Sequence, residues 1–138
     1  MESTVNSEDI RWRQRFNQFE RAFLLLKSAI DIETLSIIER AGLIQFFEMA
    51  FELSWKLLKD YQEAEGFAIN SPRDAIKQAF QSGIITAGHD WINALDDRNL
   101  TTHTYNEKIA AEVEQKIRHT YYPLLEHLQQ TFAAKVGA

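Results

Sequence analysis

Trp12, Phe16, Phe19, Phe23, Leu26 and Ile30 recur at intervals that alternate between four and three residues. That interval is the α-helical repeat, and it lines one face of a helix with apolar side chains that must be buried. A second series, Ile44, Phe47, Phe51, Trp55, Leu58 and Tyr61, repeats the pattern. Phe46 and Leu53 make this segment apolar on more than one side, as in a helix that sits centrally or also faces a partner. With five glycines and two prolines in 138 residues, little room is left for strands and tight turns. The chain therefore reads as all-α, most simply an antiparallel four- to five-helix bundle. Its length suits one domain spanning residues 1–138, able to bury roughly 70% of its unfolded surface.

Local signals set the expected boundaries. The first helix runs from about 8 to 30 with Ser7 as its N-cap and Glu8 and Asp9 in its first turn. Ser36-x-x-Glu39 is a capping box that opens a second helix, which continues to about Ala64 and stops at Gly66. Ser71 followed by Pro72 opens a short third helix, closed by Gly83. A fourth covers roughly 88–99 with Trp91, Ile92 and Leu95. The last helix starts after Thr104, and Pro123 inside it predicts a kink or break near Tyr121 and Tyr122.

The charge balance narrows the function classes. Fifteen Lys and Arg against twenty Asp and Glu give a net charge of −5, so any grip on nucleic acid must be local or completed by a second subunit. There is no cysteine, which excludes disulfides and thiolate metal sites. His119 and His127 are eight apart and His89 is distant from both, a spacing that does not suit a metal site. No glycine-rich phosphate loop or nucleophile elbow is present, so no cofactor is expected. The N-terminal sequence lacks the apolar core of a signal peptide, and no stretch has the length of a membrane span; a cytoplasmic protein with no membrane partner is expected.

One stretch departs from the helical pattern: RNLTTHTY, residues 98–105. On one continuous helix Arg98 and His103 would point about 140° apart, too far to act on one atom. The β-branched pair Thr101 and Thr102 favours a break. Thr104-Tyr105-Asn106-Glu107 has the form of a capping box, which would make Thr104 the N-cap and Tyr105 the first helical residue. Arginine binds phosphate bidentately, a helix N-terminus favours anions, and histidine exchanges protons near neutrality. These are the parts of a metal-independent phosphodiester cleavage, in which His103 takes a ribose 2′-hydroxyl proton and Arg98 stabilises the phosphorane. Arg, His and Tyr at a helix junction also serve as plain caps and solvent-facing contacts, and the residues alone leave both accounts open. Asp97 can orient Arg98 or His103, or simply be solvated at a helix end.

Arg98, His103 and Tyr105, with Asn99 directly after the arginine, resemble the Arg-x4-His-x-Tyr form of the HEPN signature. The blocks FFEMAFELSWKLLKDY (46–61), NSPRDAIKQAFQSGII (70–85) and DDRNLTTHTYNEKIA (96–110) resemble, in order, the nucleotidyltransferase substrate-binding proteins. The resemblance covers most of the chain. It implies a helical bundle that dimerises and a toxin of a toxin–antitoxin pair. Arg98 and His103 of both subunits would form a metal-independent endoribonuclease site in the dimer cleft, with RNA as substrate. It also implies a cognate minimal nucleotidyltransferase that silences the site by transferring AMP to Tyr105. The older description of the same family implies instead a non-catalytic substrate-binding or adaptor subunit. Glu52 and Lys56 lie in the first block and, four residues apart, form an intrahelical pair that can also face the cleft. Trp12, Trp55 and Trp91 read as core or dimer packing, and Arg11, Arg13 and Arg15 as a solvated basic face or a contact for RNA or a partner.

Overall fold

The computed structural model describes residues 7–98, 102 and 105–137, and among these all regular structure is helical. Helix α1 spans Ser7–Ile30, α2 Ile37–Ala64, α3 Pro72–Gln81, α4 Gly88–Asp97, α5 Glu107–Lys116 and α6 Tyr122–Gly137. A π-helical turn, Ile117–Tyr121, joins α5 to α6. Taking α5, this turn and α6 as one rod, the architecture is the five-helix bundle that the apolar repeats predict.

The local signals act largely as expected. Ser36 Oγ accepts from the Glu39 N–H and Glu39 Oε1 accepts from the Ser36 N–H, which closes the capping box of α2. Ser71 Oγ accepts from the Asp74 N–H, and Pro72 occupies the first turn of α3. Gly66 and Gly83 both adopt positive φ, the conformation in which a Cβ is penalised, and each turns the chain out of a helix. Gly88 is required for another reason: a Cβ there would come within 2.8 Å of the Phe80 ring. Its absence lets the start of α4 lie against α3. Two boundaries differ from expectation. Ser7 is the first residue of α1 rather than its cap, and the residues before it lie outside the described ones. Helix α4 stops at Asp97, short of the expected end.

Ion pairs and ring contacts give the directions of the rods. Arg15 lies 2.9 Å from Asp60 and Arg11 3.2 Å from Glu63, so the start of α1 meets the end of α2 and the two run antiparallel. Phe23 stacks on Tyr122 at 5.5 Å and Trp12 meets Phe132 edge-on at 5.7 Å, so α6 runs antiparallel to α1. Between them Phe19, Leu26, Phe47, Phe51, Leu57, Leu58 and Phe132 are fully buried, and one apolar core runs through all the helices. Of the three tryptophans, Trp12 and Trp91 are buried in this core, whereas Trp55 is only partly covered. The N-terminal arginines are spent within the chain: Arg11 and Arg15 on α2 acids, and Arg13 over the Trp12 ring at 4.8 Å.

A buried carboxylate ties the other end of the bundle. Glu114 on α5 is almost fully covered and receives 2.7 Å bonds from Arg40 of α2 and from Arg118. Arg118 also donates to the carbonyls of Ile30 and Ile32, satisfying backbone acceptors at and just beyond the C-terminus of α1. Burial pushes the Glu114 pKa up, but the bonds and charges of the two arginines outweigh it and hold it below the ordinary 4.5. A depressed carboxylate pKa stabilises the fold above the unfolded-state value and loses that contribution as pH falls through the folded-state value. Urea unfolding should therefore show Glu114→Gln less stable than wild type at pH 7, by about 2 kcal/mol. The gap should shrink as pH is lowered below 4.5.

Candidate functional site

The expected break in the helix exists. Helix α4 ends at Asp97, Arg98 follows as its C-cap with its N–H bonded to the Ala94 carbonyl, and α5 does not begin until Glu107. Arg98 and Tyr105 thus belong to different elements. His103, Asn99 and Thr104 lie outside the described residues.

The start of α5 corrects one expectation. Tyr105 is not its first helical residue, and Thr104 is not the residue immediately before the helix. Asn106 is the N-cap, and its Oδ1 accepts from the N–H groups of both Lys108 and Ile109. A short carboxamide can bridge two of the free amides of a first turn, which a side chain two residues further back cannot reach. Tyr105 stands in the turn before this cap and is 84% exposed. Its hydroxyl belongs to the surface rather than to the core.

Arg98 is placed by several elements at once. Its Nη1 lies 3.6 Å from Glu52 Oε1 on α2, and the other oxygen of Glu52 lies 3.4 Å from Lys56 Nζ. The intrahelical pair expected at 52 and 56 is present, and its carboxylate also reaches Arg98. A cleft of about 360 Å³ adjoins the guanidinium, lined by Ser71, Pro72, Arg73, Leu95, Asp96 and Arg98. Arg73 bonds Asp96 at 2.8 Å across it. Both arginines are partly solvent-exposed and held by exposed acids. Exposed pairs of this kind contribute on the order of 0–1 kcal/mol, so a phosphate with two parallel N–H···O bonds can replace the carboxylate.

Asp97 faces the α5–α6 rod. Its Oδ2 accepts a hydrogen bond from the Tyr121 hydroxyl and lies 3.1 Å from Lys116 Nζ. Tyr121 is buried, and its ring stacks on Phe47 at 5.6 Å. Burial, then the bond to Asp97 and the charges of Asp97, Asp90 and Asp96, push the Tyr121 pKa well above 10, so its hydroxyl stays protonated and remains a donor. Sequence reasoning gave a role in the site to neither Tyr121 nor Arg73. A signal for Tyr121 was present: Val113, Ile117, Tyr121 and Leu125 are buried at three successive intervals of four. Four-residue spacing keeps Tyr121 on the apolar face of the rod. Arg73 has no comparable signature, since its partner Asp96 is remote in sequence.

The model of the family described as nucleotidyltransferase substrate binding protein like matches residues 14–134. The chain belongs to this family. The resemblance read from the three sequence blocks is borne out. Among similar proteins, the probable ribonuclease HepT of Haemophilus influenzae is 34% identical over 84 residues, covering 56% of each chain. The present chain thus spans just over half the length of that relative. A crystal structure of a protein from Thermus thermophilus shares the fold with a TM-score of 0.74 and 35% identity, over 80% of this chain and 94% of that one. Among the described residues no helix is long and apolar enough to cross a membrane.

The position of the cap is directly testable. Asn106→Ala should lower stability by about 1 kcal/mol and speed amide exchange at Lys108 and Ile109 selectively. Unchanged exchange at those two amides would place the helix start elsewhere.

Proposed function

We propose that this chain is a HEPN-type ribonuclease, the toxin of a toxin–antitoxin pair, that acts as a homodimer and is controlled by AMP transfer from a cognate minimal nucleotidyltransferase. One observation carries the reading most. Arg98, the first residue of the motif, is exposed on a polar cleft while its backbone and its α4 neighbour Asp97 are fixed by the bundle. That combination suits a phosphate contact, which needs a cation in a defined place with solvent access. The likeness to a probable ribonuclease supports the same direction.

In this reading Arg98 holds the scissile phosphate of RNA. His103 of one subunit takes the 2′-hydroxyl proton as the 2′-oxygen bonds to phosphorus. The P–O5′ bond then breaks, and the leaving 5′-oxygen takes a proton from His103 of the partner subunit. The products are a 2′,3′-cyclic phosphate and a 5′-hydroxyl. Arg98 offsets the charge that grows on the phosphorane oxygens. Asp97 and Asn99 support the motif. In the silencing step the Tyr105 oxygen bonds to the α-phosphorus of ATP, pyrophosphate leaves, and the phenolic proton passes to solvent. The exposure of Tyr105 favours this role, and an added nucleotide two residues from His103 brings bulk and negative charge to where RNA phosphate must sit.

A second reading, a non-catalytic adaptor for the nucleotidyltransferase, draws support from the family's description and from the net charge of −5. Cleavage assays separate the two. The purified, unmodified chain should cut RNA in the presence of a chelator and leave cyclic phosphate ends. Arg98→Ala and His103→Ala should each reduce kcat by about 10²- to 10³-fold without loss of folding. RNA left intact by the unmodified dimer, or cut equally well by His103→Ala, would transfer the assignment to the adaptor.

A further inference from the structure

Tyr121 lies outside the motif, yet the structure connects it to the motif through one residue. Pro123 has no N–H to donate to the His119 carbonyl, and its ring crowds that carbonyl in a regular α-helix. The chain answers with the π turn Ile117–Tyr121 immediately before it. Tyr121, the last residue of that turn, is pinned by ring stacking on Phe47 of α2. Its hydroxyl then meets Asp97, the last residue of α4. Lys116, the last residue of α5, takes the same carboxylate oxygen at 3.1 Å. The next residue along the chain from Asp97 is Arg98. A solvated acid at a helix end needs no buried phenol aimed at it. π turns inside α-helices recur at functional sites because they re-aim one side chain without ending the helix.

We propose that Tyr121 is a positioning residue for Arg98: through its hydrogen bond to Asp97 it fixes the end of α4 and so sets where the Arg98 guanidinium meets phosphate. The proposal rests on the ribonuclease reading for its effect on turnover, and on geometry alone for its effect on Arg98. Tyr121 touches no substrate in this scheme. It acts by limiting the freedom of Asp97 and, one bond further on, of the backbone that carries Arg98. Small misplacements of a charge-stabilising group are costly in the transition state and much less so in ground-state binding.

The test is a double-substitution cycle on the intact dimer with RNA as substrate. Tyr121→Phe keeps the ring and its stacking and removes only the hydroxyl. The expected result is a fall in kcat of about tenfold with KM nearly unchanged. In an Asp97→Ala background the same change should have almost no further effect, because the two residues act as one unit. A purely structural role would lower the melting temperature and leave kcat at 25 °C untouched. Wild-type kcat in a folded Tyr121→Phe protein, or an equal loss in the Asp97→Ala background, overturns the proposal. A wild-type protein that cuts no RNA overturns the ribonuclease reading instead. In that case the link is read from the Nε–H order parameter of Arg98 by NMR, which falls in Tyr121→Phe if Tyr121 fixes Arg98 and is unchanged if it does not.

Discussion

A π turn ahead of Pro123 interrupts the α-helical hydrogen bonding of the rod that forms the last third of the chain. Upstream of it α5 turns Ala110, Val113 and Glu114 inward; downstream α6 turns Leu125, Leu128 and Phe132 inward. Ala110 and Leu128, like Glu114 and Phe132, are eighteen residues apart, five helical turns, so both sets share one face of the rod. That rod carries the Glu114–Arg40–Arg118 cluster at one level and the Phe132 contacts to Trp12, Phe16 and Tyr61 at the other, with the π turn between them. The same turn delivers Tyr121 to Asp97. One rod thus serves core packing at two levels and, through Tyr121, meets the end of α4 that precedes Arg98.

The motif end of the bundle has a division of labour that follows from burial. The parts that hold position are covered: Tyr121 and Phe47 are buried, and Asp97 is partly so. The parts proposed to do chemistry are open to solvent, namely Arg98 on its cleft and Tyr105 before the α5 cap. A nuclease that is switched by modification requires both. Its cation must be fixed enough to stabilise a transition state, and its tyrosine must be reachable by a second enzyme. The cations near the cleft are matched by acids at the same place, Arg73 by Asp96 and Arg98 and Lys56 by Glu52, so a phosphate there competes with these carboxylates.

Much of this is legible in the residues. The apolar stripes of the first two helices, the capping box at Ser36 and the Ser71–Pro72 start read directly, because each is a contact between residues a few positions apart. The break between Arg98 and Tyr105 reads equally well. Its fine structure does not: Thr104-x-x-Glu107 has the form of a capping box, yet the backbone path makes Asn106 the N-cap. Pro123 announces a kink, but not that the kink takes the form of a π turn aiming Tyr121 at Asp97. Contacts such as Arg98 with Glu52, Arg73 with Asp96 and Arg118 with the end of α1 join residues far apart in sequence, and no local pattern encodes them.

The most direct measurement is intact mass after incubation with the cognate nucleotidyltransferase, ATP and Mg²⁺, comparing wild type with Tyr105→Phe. The account predicts a gain of one or more AMP units in wild type and none in Tyr105→Phe, with both proteins still binding the enzyme. No gain in a folded, bound wild type, or an equal gain in Tyr105→Phe, would contradict it and reduce Tyr105 to a surface residue of the turn before α5.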